Sequence, residues 1–210
     1  MFNPDSLFWR LISKGVDIVG LSLFWALLSL PVVTIGPATA ALYYTVVKTF
    51  RRKEDGAFTM MWRSFKSNLK QGIPITLICL PLCLLLFYGY SVMKANIATR
   101  GAYLLYLAYY IAMVIPLGIL TILFPLLGRF SLKTGEYFRT SFSLMLCHLP
   151  SGVVLVLLTL ELIVWTVEKW SPIFITPFLW AIASSWFLER IFAKHLDEEQ
   201  REALERMGDR

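Results

Sequence analysis

Residues 16–50 constrain the chain most: only Asp17 and Lys48 are charged there, yet Pro31, Gly36 and Pro37 sit in the middle. As one helix the stretch would measure roughly 52 Å, against a hydrocarbon core of about 30 Å. Two arrangements are open. A single kinked helix crosses and runs on, which puts the N-terminus outside; or the chain turns near Gly36-Pro37 into a hairpin of 16–34 and 37–53, which puts it in the cytoplasm. Pro37 suits the first turn of a new helix, where its missing N–H is no loss, and Gly36 brings backbone freedom to the turn. Thr34 can bond backbone groups left free at the break. Gly36 and Ala40 stand one helical turn apart, so two backbones can approach closely there. The second arm holds only about 14 apolar residues, or roughly 21 Å, which is short for a crossing. The hairpin is the expected arrangement, giving six spans where the kinked helix gives five.

Four further apolar windows, 72–93, 102–128, 150–168 and 173–193, are each long enough to cross a bilayer. With 57% hydrophobic and 16% charged residues, the chain lies well outside the soluble range of roughly 45–50% apolar and about 25% charged. The expected fold is all-α: a polytopic transmembrane bundle of five to six spans with amphipathic helices at the cytoplasmic face. One membrane domain covers 1–193, and 194–210 form a cytoplasmic helical tail, with Asp197–Arg201 and Glu202–Arg206 spaced as i, i+4 pairs. At the N-terminus, Asn3, Pro4 and Asp5 read as a helix cap and first turn. The helix they open, 3–14, either lies in the interface or extends the first span. No removable leader is expected, since a basic region followed by an apolar core and a cleavage site is missing.

Charge sets the expected orientation. Residues 48–71 carry Lys48, Arg51, Arg52, Lys53, Arg63, Lys66 and Lys70 against Glu54 and Asp55, and 129–149 carry Arg129, Lys133 and Arg139 against Glu136. The short connections 94–101 and 169–172 carry only Lys94, Arg100 and Lys169. Lysine and arginine accumulate on the cytoplasmic side, so both long loops and the C-terminus face inward, and the protein is a multi-pass component of a cell membrane. Tyr88, Tyr90, Tyr103 and Tyr106 bracket one outer connection, and Trp165 and Trp170 the other, as headgroup-level rings do. Two basic segments, 58–71 and 135–150, have helical periodicity and are expected along the inner membrane face. Arg63-Ser64 with Pro74 and Arg139-Thr140 with Pro150 share a spacing that suggests a weak internal repeat.

Catalytic signatures are missing: there is no GxSxG, HExxH, phosphate-binding loop or dinucleotide fingerprint. No enzyme activity, cofactor or nucleic-acid partner is expected. Cys79 and Cys83 share a helix face, but without further His or Cys ligands they read as small core residues, not a metal site. Glu161 is the one acid well inside an expected span. A charge there costs on the order of 2.5–3.5 kcal/mol, so it faces the bundle interior, a wet cavity, a partner subunit or, on a tilted helix, outer water, unless it is protonated. Pro81, Pro116 and Pro177 fall inside expected spans, where each frees a carbonyl and kinks the helix.

The opening "MFNPDSLFWRLISKGVDIVGLSLFWALLSLPVVTIGPATAALYYTVVK", followed by "SFKSNLKQG", resembles the YesL-like family of small bacterial membrane proteins. The likeness is specific in the N-terminal half and loose after about residue 100. It implies a bacterial plasma-membrane protein with no established catalytic activity, often encoded beside carbohydrate ABC importer genes. A non-enzymatic accessory subunit of an oligosaccharide importer is therefore the expected function, with the bilayer and the importer's permease subunits as partners. The residues expected to carry it are Glu161, Gly36, Pro37, Ala40, Arg63, Lys66 and Lys70. "EDGA", residues 54–57, is similar to part of a permease loop that contacts the importer's ATPase, although the rest of the loop departs from it. An independent small transporter or channel with a path past Glu161 is the alternative, and a basic membrane-surface scaffold or sensor working through 48–71 is a third.

Overall fold

A computed structural model describes residues 7–51, 55–96, 100–130, 132–169 and 175–208, with side chains placed for most of 17–192. The cap residues Asn3, Pro4 and Asp5, together with Glu54 and Trp170, lie outside the described residues, as do the side chains of the helical tail. Eight α-helices are described: α1 Leu7–Leu28, α2 Ile35–Val46, α3 Ala57–Ala95, α4 Arg100–Ala112, α5 Val114–Arg129, α6 Thr134–Cys147, α7 Leu149–Lys169 and α8 Thr176–Gly208. A 3-10 turn, Val32–Thr34, leads into α2, and a π turn, Val47–Arg51, follows it. No strand occurs among the described residues.

The first apolar stretch does fold back. α1 ends at Leu28 and α2 begins at Ile35, and the indole N–H of Trp25 donates to the Thr39 hydroxyl at 3.2 Å. In a straight helix those residues would stand about 21 Å apart. The break lies at 29–31, ahead of Pro31, earlier than the expected Gly36-Pro37 position. Thr34 closes it: its hydroxyl lies 2.7 Å from the Leu28 carbonyl and 2.6 Å from that of Pro31. Pro37 is the third residue of α2, inside the first turn, where a proline costs no intrahelical bond. Gly36 is helical, and Gly56 alone among the described glycines has positive φ, at 86°. The reason for glycine at 36 is therefore steric.

α2 is the centre of the fold. Gly36, Pro37, Ala38, Ala40, Ala41, Leu42, Tyr43, Thr45 and Val46 are all buried, and α1, α3, α5 and α8 pack around them. The small residues Gly36, Ala38, Ala40 and Ala41 of this twelve-residue helix let these neighbours close in on its backbone. One apolar cluster joins α2 to α5, α6, α7 and α8 through Tyr43, Leu123, Leu126, Met145, Leu155 and Leu188. Another joins it to α1, α3 and α8 through Leu21, Leu42, Met61, Phe65 and Phe178.

Two stretches, Ala57–Ala95 and Gly101–Arg129, are long and apolar enough to cross a membrane. A third is reached if α6 and α7, bent by 107° at their junction, count as one broken span. The expected spans 16–34, 37–53, 72–93, 102–128, 150–168 and 173–193 each contain a helix, but α2 alone, at about 18 Å, falls short of a crossing.

Both basic segments are helical; the second is a helix of its own with one exposed face, whereas the first is continuous with the span that follows it. The first is the opening third of α3, which runs on through Gly72 and Pro74 for roughly 58 Å. Met61, Ser64 and Phe65 face the bundle, while Arg63, Lys66 and Lys70 are exposed. The second is α6, which folds back along α5: Tyr137 bonds the Phe130 carbonyl at one end, and Met145 seats against Gly118 at the other. Pro150 opens α7 at the sharp bend, while Pro74 leaves α3 unbroken, so the two halves of the suggested repeat differ in shape.

The described part of the N-terminal amphipathic segment, 7–14, is continuous with the first apolar helix in α1, the second of its two expected arrangements. The prolines also divide. Pro81 lies inside α3. Pro116 follows the break between α4 and α5 at Met113, because its ring cannot donate to the Ala112 carbonyl; the neighbouring bonds, Met113 to Tyr109 and Leu117 to Met113, persist. Pro177, expected inside a span, is the second residue of α8 and needs no partner.

Candidate functional site

Two features of the bundle join groups from several helices: an apolar cavity and a charged cluster. The cavity, about 450 Å³, is walled by α1, α2, α3, α5, α7 and α8. Trp25 and Trp180 supply two flat walls, each held in place by its N–H. Trp25 donates to Thr39, and Trp180 donates to Thr159 at 2.9 Å. The hydroxyls of Thr121, Thr159 and Thr166 each bond a carbonyl three or four residues back, those of Gly118, Leu155 and Leu162. Such back-bonding satisfies threonine within its own helix. What the wall turns inward is almost wholly carbon.

The charged cluster ties α2, α5 and α8 together. Arg129 Nη1 meets both oxygens of Glu189, at 2.8 and 2.7 Å, and the buried Tyr43 hydroxyl donates to the same carboxylate at 3.2 Å. The arginine side chain is 25% exposed and the glutamate 14%. Beside it a neutral network fixes the turn between α5 and α6. The Tyr137 hydroxyl accepts from the Leu132 N–H at 3.0 Å and lies 2.7 Å from the Phe130 carbonyl, while the Gln71 amide donates to the Leu132 carbonyl.

Glu161 joins neither feature. It is exposed on α7, and no hydrogen bond or ion pair reaches it from any described residue. The cavity-lining side chains of α7 include Val156, Thr159, Ile163 and Thr166. At 100° per residue Glu161 lies opposite them. Exposed Val154, Leu157 and Trp165 surround it on the helix surface.

Gly36, Pro37 and Ala40 form the crossing of α2 with α3 and α5. A Cβ on Gly36 would strike Thr76 and the Phe124 ring; Pro37 fills the space over Gly72; and a Cβ on Gly128 would fall on the Ala40 carbonyl oxygen. These three residues are buried and hold the bundle together. Arg63, Lys66 and Lys70 line the exposed side of α3, with Lys66 Nζ 4.7 Å from the Trp62 ring centroid. Cys79 is buried and Cys83 exposed, and no group of metal-ligating side chains occurs among the described residues.

Sequence reasoning missed Glu189, whose partner lies 60 residues away. The clue was available: an acid between aromatic and aliphatic residues, in "WFLERIF", at the end of an apolar window.

A bundle of apolar helices around a buried short helix, with membrane-length members, defines a polytopic α-helical membrane protein. Within it, residues 18–90, from α1 to late α3, match the family described as "Protein of unknown function, DUF624", the family of the YesL-like proteins. No curated protein and no solved structure matches the chain.

Proposed function

We propose that the chain is a non-enzymatic multi-pass subunit of the bacterial plasma membrane that works by docking onto another membrane complex. The observation that carries this reading is Glu161. It is an exposed carboxylate amid the exposed apolar side chains Val154, Leu157 and Trp165, and no cation among the described residues pairs with it. An acid set against hydrocarbon is costly until a cation or donor meets it. A helix of a second protein, bringing a basic or amide side chain to α7, supplies that group.

The partner favoured is the permease of a carbohydrate ABC importer, which rests on the likeness of the N-terminal half to the YesL-like family. In that arrangement the basic end of α3 faces the cytoplasm beside the importer's inner surface, and the C-terminus lies inside, following the bias of lysine and arginine. Arg63, Lys66 and Lys70 then meet anionic headgroups.

Co-purification from native membranes under mild detergent tests the reading. Permease subunits are expected with the wild-type chain and are lost with Glu161→Leu, while Glu161→Gln, which keeps hydrogen-bonding capacity, retains part of them. Recovery of the wild-type chain alone, or equal recovery with all three, overturns it.

A further inference from the structure

We propose that the cavity between the two tryptophans holds one hydrocarbon chain of a membrane phospholipid. This inference is independent of the docking function, since Glu161 lies on the opposite face of α7.

The wall chemistry selects the occupant. Both indole N–H groups are taken by threonines, and Thr121, Thr159 and Thr166 are turned onto their own helices. A ligand bearing hydroxyl, amide or charged groups would lose its hydration and gain nothing, which excludes a sugar. A saturated chain loses nothing on entry.

The opening selects the source. Ile35, Cys83 and Ile163 belong both to the cavity wall and to the exposed surface of the bundle, so the cavity is open sideways between helices. That surface is apolar far beyond the opening, with Leu30, Val32, Leu82 and Leu84 exposed nearby in sequence. A lipid chain enters from the bilayer without crossing water. The volume, about 450 Å³, falls in the range of pockets that hold one small ligand, roughly 300–1,000 Å³. Left empty, an apolar cavity costs stability in proportion to its volume.

The experiment uses the full chain in proteoliposomes containing phosphatidylglycerol with a diazirine in one acyl chain, and a parallel set containing the diazirine fatty acid. Cross-linked peptides are mapped by mass spectrometry. With the phospholipid probe, label is expected on 156–166 and 117–124 at least threefold above that on the exposed stretches 84–96 and 101–112, which lie outside the cavity wall. The cavity-filling variants Leu160→Trp and Thr121→Phe, which enter from two different helices, are each expected to reduce cavity labelling at least threefold and leave the exposed stretches unchanged. A uniform label in the wild type overturns the proposal whether or not the variants fold. So does cavity labelling by the fatty acid alone, or cavity labelling that survives both folded variants.

Discussion

Gly118 and Gly128 both lie on α5 and both exclude a methyl group, but they exclude it against different neighbours. At Gly118 the obstacle is the thioether of Met145, the free end of an adaptable side chain; at Gly128 it is the backbone of Ala40. Gly128→Ala is therefore expected to cost about 3 kcal/mol and Gly118→Ala about 1 kcal/mol or less, read as midpoints of thermal unfolding in detergent. Ala40→Gly does not rescue Gly128→Ala, because the clash is with a carbonyl oxygen. The charged cluster yields a second residue-scale expectation. Arg129→Met leaves Glu189 partly buried beside one phenol and should cost about 2 kcal/mol, between surface and fully buried pairs. Pairing it with Glu189→Gln recovers part of that loss, and a double-mutant cycle measures how much.

At the scale of elements, the helices were legible in the sequence, and their junctions only partly. The apolar windows mark α1, α3, α5, α7 and α8 because burial and membrane length follow from composition alone. Position 36 shows where local signals ran out. A Gly-Pro pair carries the usual marks of a turn, yet Pro31 and Thr34 make the break, and Gly36 is small because Thr76 and Phe124 arrive from distant sequence. The basic stretch 58–71 was expected along the inner membrane face, apart from the span 72–93 after it. Instead the Thr76 hydroxyl holds the Gly72 carbonyl at 2.7 Å, and the helix continues. Replacing Arg63, Lys66 and Lys70 together by glutamine is expected to lower the affinity of this end for anionic lipid by about 3 kcal/mol at low salt, roughly 150-fold, given about 1 kcal/mol per charge. The enrichment of phosphatidylglycerol co-purifying with the protein measures it.

The molecule as a whole is uneven. Neither 81–96 nor 101–112 contains a buried residue, and these stretches of α3 and α4 pack chiefly on each other, through Tyr90 with Tyr106 and Tyr109 with the Leu86 carbonyl. Stability measured in detergent should be blind to them: Leu84→Ala, Leu85→Ala and Phe87→Ala are each expected within about 0.5 kcal/mol of the wild type. Leu123→Ala and Leu126→Ala, in the fully buried core of α5, should cost about 2–5 kcal/mol each. Glu161 was legible as an unusual residue, because one acid in an apolar window is visible on inspection. The cavity was not, because its wall gathers ordinary Thr, Leu and Trp residues from six helices that only the tertiary fold brings together.

The way α2 is held implies an order of events during synthesis. The reversal that introduces it is closed by Thr34 over three and six residues and by Trp25 over fourteen. These contacts are available as soon as α2 itself has been made, and short loops close first. The bond between the Tyr43 hydroxyl and Glu189 spans 146 residues and needs α8 to have been made. The nascent chain is thus expected to carry its future centre as an early hairpin whose α8-facing side is covered only when α8 is complete.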